Sequence, residues 1–211
     1  MTQEKNNYSM DTLRFRRLLP DEIEVRIGST GTGYIDLLLY KTARVDAQIL
    51  IETVGQNWTN DTKVVKDVLW AGIGIINPEN GEYIWRWSAG TESNMEKQKG
   101  EDSDSFKRAA FRWGIGSELY TAPQIRLWEN EGKYKPIKNG NGKSGTYDKF
   151  EVKSIETDDL GRITKLLIIN TSTNKAVCSF GFSDVADAKD SIKSAQSRKE
   201  EIIKALKEQE S

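Results

Sequence analysis

The run VLWAGIGIINPENGEYIWRWSAG, residues 68–90, decides how the chain folds. Its middle, Asn77-Pro78-Glu79-Asn80-Gly81, is a cluster of turn formers: proline presets one backbone angle, asparagine bonds its own backbone and glycine accepts positive φ. The flanks are rich in Val, Ile, Trp and Tyr, which suit a pleated, half-buried surface. Residues 68–76 and 82–89 therefore read as a hairpin. Along the second strand Tyr83, Trp85 and Trp87 share one face, and Ile84, Arg86 and Ser88 the other. Working backward, Trp58–Val65 reads as a further strand. IEVRIGSTGTGYIDLLLY, residues 23–40, reads as two strands, with Gly28, Gly31 and Gly33 supplying positive-φ positions in their connection. Between them, Thr42–Val54 places Val45, Ile49 and Leu50 along a short amphipathic helix that stops at Gly55.

Working forward, the polar loop GTESNMEKQKGED leads into a helix expected over Ser103–Leu119. Asp102 or Ser103 can cap it, and Glu101, Asp102 and Asp104 suit its positive end. Phe106, Ala109, Ala110 and Trp113 form its apolar stripe. Arg108 and Arg112 lie four apart on a different face, beside Lys107. The order so far is ββαβββα. After Pro123 the composition shifts, and Asn130–Tyr147, rich in Gly, Asn and Lys, reads as a long flexible loop. Strands near 150–156, 163–170 and 176–182 form a meander, either a small accessory sheet or an extension of the first one. Residues 184–211, with 7 acids and 6 bases, read as a charged, weakly amphipathic helix.

The expected fold class is α+β, a mainly antiparallel sheet packed by helices. Its segments are a mobile arm with a short helical piece (1–20), a core (21–128), the loop (129–149), the meander (150–183) and the tail (184–211).

Composition narrows the chemistry. The 211 residues include 31 basic and 32 acidic side chains, no histidine and one cysteine, Cys178. Without histidine there is no Ser-His-Asp or Cys-His catalysis and no imidazole metal ligand. One cysteine makes neither an intrachain disulfide nor a zinc-thiolate site. Mean hydropathy is −0.63, and no apolar run approaches the ~18 residues of a membrane span. The expectation is a cytoplasmic protein with no membrane partner and no cofactor. A net charge of −1 leaves nucleic-acid binding to local patches.

Each chemical feature has a plainer reading beside it. Lys107, Arg108 and Arg112 are either a cationic ridge for a phosphate backbone or a solvated face balancing nearby acids. The Tyr83-Trp85-Trp87 face is a base-stacking platform or, as Trp-rich strand faces more often are, core against a helix. In the latter case Arg86 on the opposite face is the better nucleic-acid contact. Arg26, Tyr40, Lys41 and Arg44 flank the first hairpin as basic groups interleaved with an aromatic. STGTG is no phosphate loop, because no G-K-[ST] follows it. Glu92, Glu96, Glu101, Asp102 and Asp104 invite a two-metal nuclease reading, but they share one loop and helix start, where capping explains them.

Two stretches, YKTARVDAQILIETVGQNW and GTESNMEKQKGEDSDSFKRAAFRWGIGSELYTAP, closely resemble the phage and prophage (Sak-type) branch of the Rad-fifty-two/Rad-twenty-two family of single-strand annealing proteins. The resemblance spans about Ile23–Pro123. It implies an ATP-independent protein, not an enzyme, that binds single-stranded DNA and anneals complementary strands in phage homologous recombination and break repair. It implies a homo-oligomeric ring with DNA in an outer basic groove. Family grooves use an arginine on the first strand, a tyrosine near the end of the second and a K-R-A-x-R-x-[FW]-G helix. Arg26 and Tyr40 take the first two places, and Lys107 and Arg108 match the helix motif. The motif's second arginine is Phe111 here, and Arg112 stands one position later, about 100° round the helix. Arg44, Arg86 and Arg112 are further candidate DNA contacts. The alternatives are a passive protective single-strand binder, a metal-dependent nuclease, and an adaptor whose tail recruits a single-stranded DNA-binding or replication protein. A phage-encoded chain would work in the host bacterial cytoplasm.

Overall fold

The computed structural model describes residues 8–90, 97–138 and 140–209. In chain order the elements are β1 (Glu24–Gly31), β2 (Tyr34–Tyr40), α1 (Ala43–Val54), β3 (Trp58–Val65), β4 (Val68–Ile76), β5 (Tyr83–Ala89), α2 (Lys97–Arg112), β6 (Ile125–Trp128), the two-residue strands β7 (Ile137–Lys138) and β8 (Ser144–Gly145), β9 (Phe150–Thr157), β10 (Ile163–Asn170), β11 (Lys175–Phe180) and α3 (Val185–Gln209). The class is α+β, with antiparallel sheets packed by helices. No helix among the described residues is long and apolar enough to cross a membrane. The chain divides into two compact units, one of residues through Arg17 with Lys41–Ser117, the other of Leu18–Tyr40 with the chain from Glu118 onward. The boundary differs from the expected 21–128 core, because β1 and β2 belong to the second unit.

In the first unit, β3, β4 and β5 form a three-stranded sheet. Ala71, Ile73 and Ile75 of β4 are buried with Ala109, Ala110 and Trp113 of α2. The Trp113 indole N–H donates to the Ile73 carbonyl at 3.0 Å, so the largest buried ring leaves no unpaired donor. Thr42 caps α1 through its hydroxyl, which accepts from the Val45 amide at 3.4 Å, and Gly55 ends it at φ +59. The segment before Arg17, expected to be a mobile arm with a helical piece, is fastened and holds no helix over its described residues. The Tyr8 hydroxyl donates to the Ile76 carbonyl at 2.7 Å, and Arg16 forks Glu52 at 2.6 and 3.2 Å.

α2 starts earlier and ends sooner than expected. Lys97, Gln98 and Lys99 are strong helix formers and carry the helix across Gly100. Asp102 and Ser103 thus lie inside it and do not cap it. At the far end the Ile115 amide donates to the Ala110 carbonyl (3.2 Å) and the Gly114 amide to the Phe111 carbonyl (2.8 Å). With Gly114 at φ +94, this is a Schellman termination, which stops the helix before Leu119.

In the second unit the sheet order is β11-β10-β9-β1-β2-β6. The meander therefore extends the first hairpin's sheet, one of the two placements left open by its sequence. The cause is visible in β10: Leu166–Asn170 is buried on both faces and needs strands beside it and cover above and below. The sheet curls until Ile125 and Arg126 of β6 and Val177–Phe180 of β11 line one cavity of about 250 Å³. Of the three hairpin glycines only Gly33 takes a positive φ; Gly28 and Gly31 instead lie against the Leu38 and Tyr34 side chains. The stretch expected as a long flexible loop contains a 3₁₀ turn at Glu129–Glu131 and the β7–β8 ladder, held by a Gly33 amide donating to the Ser144 hydroxyl at 2.9 Å. α3 packs on β9 with Ser191 and Ala195 buried, and Lys199 reaches Asp21 at 2.5 Å.

Candidate nucleic-acid interface

In the first unit, α2 is anchored by Phe106, Ala109, Ala110 and Trp113 and turns its other side outward. At 100° per residue, Lys107, Phe111, Arg108 and Arg112 follow one another round an outward arc of about 140°. Arg112 lies only about 40° from Arg108, beside it and away from Lys107. Arg108 donates to Asp104 at 2.8 Å with its side chain 43 % exposed. Lys107 lies on the α1 flank, where its charge acts on Asp46. Asp46 is fully buried and ion-paired with the buried Lys41. Burial pushes the Asp46 carboxyl up to about 6, against the pull of Lys41 and, less strongly, of Lys107. Arg44 is exposed in the first turn of α1. Arg86 has a structural contact that its sequence position did not show: its guanidinium lies 4.3 Å over the Trp113 ring and donates to the Arg112 carbonyl, so it caps the end of α2.

The aromatic strand face is the largest correction. Core packing against a helix was the commoner expectation for it, but α2 covers the opposite face, where Ile73 and Ile75 lie. The β4–β5 register sets Gly72 opposite Trp87 and Gly74 opposite Trp85. A Cβ on Gly72 would come within 2.6 Å of the Trp87 ring, and one on Gly74 within 2.9 Å of the Trp85 ring. The two indoles therefore lie flat on bare strand backbone, stacked at 5.4 Å and 23°, with Tyr83 next in line at 5.9 Å. Glycine's missing side chains leave no ridge to seat a helix there, whereas the Ala71-Ile73-Ile75 row provides one.

In the second unit, Arg26 and Tyr40 are brought together: the Arg26 guanidinium lies 5.2 Å over the Tyr40 ring. Arg26 also donates to Glu24 at 2.8 Å through Nε. Four residues that sequence reasoning missed share this outward face of β1, β2 and β6. Arg126 forks Asp36 at 2.8 and 2.9 Å and lies 3.8 Å over Tyr34, which contacts Trp128 at 5.3 Å. That guanidinium holds the Asp36 carboxyl below its usual range. The alternation Tyr34-x-Asp36-x-Leu38-x-Tyr40 was the available signal, since it marks an outward face that is neither apolar nor uniformly charged.

Of the acids that suggested a metal site, Glu92 and Glu96 lie outside the described residues, as does the side chain of Glu101. Asp104 is engaged with Arg108. Among the described residues no group of three acidic, cysteine or histidine side chains is placed to hold a metal ion. Compared with known proteins, the chain matches no family model, no curated protein and no solved structure.

Proposed function

We propose that this protein binds single-stranded DNA and anneals complementary strands without ATP or metal, as a homo-oligomeric ring of the Rad-fifty-two/Rad-twenty-two type serving phage recombination and repair. The observation that carries the reading is the outward arc of α2, where Lys107, Arg108 and Arg112 stand on a helix fixed by its buried stripe and terminated by Gly114. Fixed cations lose little freedom when they meet a phosphate backbone. Arg108 and, in the second unit, Arg26 each hold a carboxylate, Asp104 and Glu24. A phosphate presents a guanidinium with the same fork of oxygens and is the natural competitor for these exposed pairs.

An annealer must hold phosphates and leave base edges free to test a second strand, because base-specific contacts would obstruct pairing. Cations on a helix and a strand meet that need. A subunit of net charge −1 gives no long-range field, but a basic stripe repeated round a ring becomes a continuous track.

The test is binding of two unrelated labelled single strands of equal length, followed by anisotropy across a salt series with magnesium present. Equal affinities that fall steeply with salt, and strands recovered intact, are expected. Magnesium-dependent loss of strand would establish the nuclease instead.

A further inference from the structure

We infer that the Tyr83-Trp85-Trp87 face of the three-stranded sheet is a second contact for single-stranded nucleic acid, one that stacks on its bases. The inference rests on the single-strand reading above and adds to it a site made of rings.

Flat indoles over glycines have an ordinary structural use, since they cover backbone that Gly72 and Gly74 leave bare. That use accounts for Trp85 and Trp87. It does not account for Tyr83, which pairs with Ile76, covers no glycine and is 43 % exposed. A ring lying flat on backbone also turns its other π face outward, which is the geometry a base needs for stacking. The three rings follow one another at 5.4 and 5.9 Å, so they form a row along one strand and not an isolated patch. At one end the Lys63 ammonium caps the outward face of Trp87 at 3.8 Å, so the faces left for bases are those of Trp85 and Tyr83, with a cation at the end of the row for a phosphate. At the other, Tyr8 lies beside Tyr83, and the pKa of its hydroxyl is raised above its ordinary range chiefly by burial and secondarily by Tyr83. Asp61, across β4 from Trp87, is the carboxylate of this face, and its Oδ1 accepts the Thr62 amide. The occupant is thus a flexible strand with bases and phosphates, and stacking tolerates any sequence, as annealing requires.

The decisive probe is a pair of oligonucleotides of equal length, oligothymidylate and the same backbone without bases. The wild-type protein should prefer the base-bearing strand by about tenfold or more. Tyr83→Ser, which uncovers no glycine, should reduce that preference several-fold. The double change Trp85→Leu, Trp87→Leu should abolish it while affinity for the abasic strand stays within about twofold. Trp85→Phe, Trp87→Phe keeps the glycines covered and should retain most of the preference, which separates stacking from damage to the sheet. Equal wild-type affinity for the two strands overturns the inference and leaves the phosphate-binding reading standing. Failure to bind either strand overturns both. Rings whose loss breaks the assembly while the base preference survives would assign the face to contact between copies of the chain.

Discussion

At the scale of single residues, function rests on which charges are held and which are available. Lys107→Gln with Arg108→Gln should weaken single-strand binding and flatten its dependence on salt, by about 0.7 in log–log slope for each phosphate left without a cation. An unchanged slope would remove α2 from the interface. Asp46 makes a different prediction. Its folded-state pKa of about 6 stands above the 3.8 of an unperturbed aspartate, so the folded protein holds this proton more tightly than the unfolded chain. The resulting stabilisation is complete below about pH 4 and is lost as pH rises through 6, on the order of 3 kcal/mol. The depressed carboxyls of Asp36, Asp158 and Asp187 act the other way, and only at lower pH, where protonating them costs stability. Asp46→Asn should erase the slope between pH 4 and 6 in urea titrations. It should also cost about 3–5 kcal/mol near neutrality, because it breaks the buried Lys41–Asp46 pair. A slope that survives the substitution would mean that some other group titrates there.

At the scale of elements, sequence was most legible where a period and a stop signal coincide. β3, β4 and α1 fall where alternation, the Asn77–Gly81 turn and Gly55 put them. α2 was misjudged at both ends for physical reasons. Acidic residues at 101–104 resemble a helix start, yet the good helix formers before them extend the helix. The apolar residues Ile115 and Leu119 continue the periodicity, yet Gly114 adopts a backbone angle no helix contains. Gly114→Ala has open space for its Cβ, so its cost is backbone strain alone, about 1–2 kcal/mol in thermal or urea unfolding. For Arg86, alternation gives its face and not its partner, the end of α2. Arg86→Met should preserve cover over Trp113, lose about 1 kcal/mol by uncapping α2, and leave single-strand affinity near the wild-type value. Weakened affinity at unchanged stability would return Arg86 to the groove.

At the scale of the whole chain, the least legible feature was the pairing of β1 with β9, Glu24 opposite Glu151. Both strands were readable, but neighbours in a sheet are chosen by long-range burial, here the two-sided burial of β10, which no local window contains. The resemblance named Arg26 and Tyr40 singly; their contact needed the β1–β2 register, as the Arg126–Tyr34–Trp128 cluster needed the β2–β6 register. The same scale gives the expected tail helix its packing partner. α3 is a packed helix of the second unit, tied by Lys165–Asp187, Lys199–Asp21 and buried Ser191 and Ala195. Truncation before Asp184 should therefore lower the melting temperature by several degrees through exposure of β9. Assembly size, followed by light scattering, should persist, since the residues that resemble the annealing core lie upstream. A truncated chain that melts as the intact one does would show that α3 adds nothing to the unit it packs on.

Strand annealing is the activity on which the proposed function stands or falls. The direct measurement is the rate at which two complementary oligonucleotides, one labelled, form duplex without ATP or metal, with and without near-stoichiometric protein. Clear acceleration is expected, and Lys107→Gln with Arg108→Gln should remove it. Tight binding of both strands with no acceleration would contradict annealing and leave a protein that covers single strands without joining them.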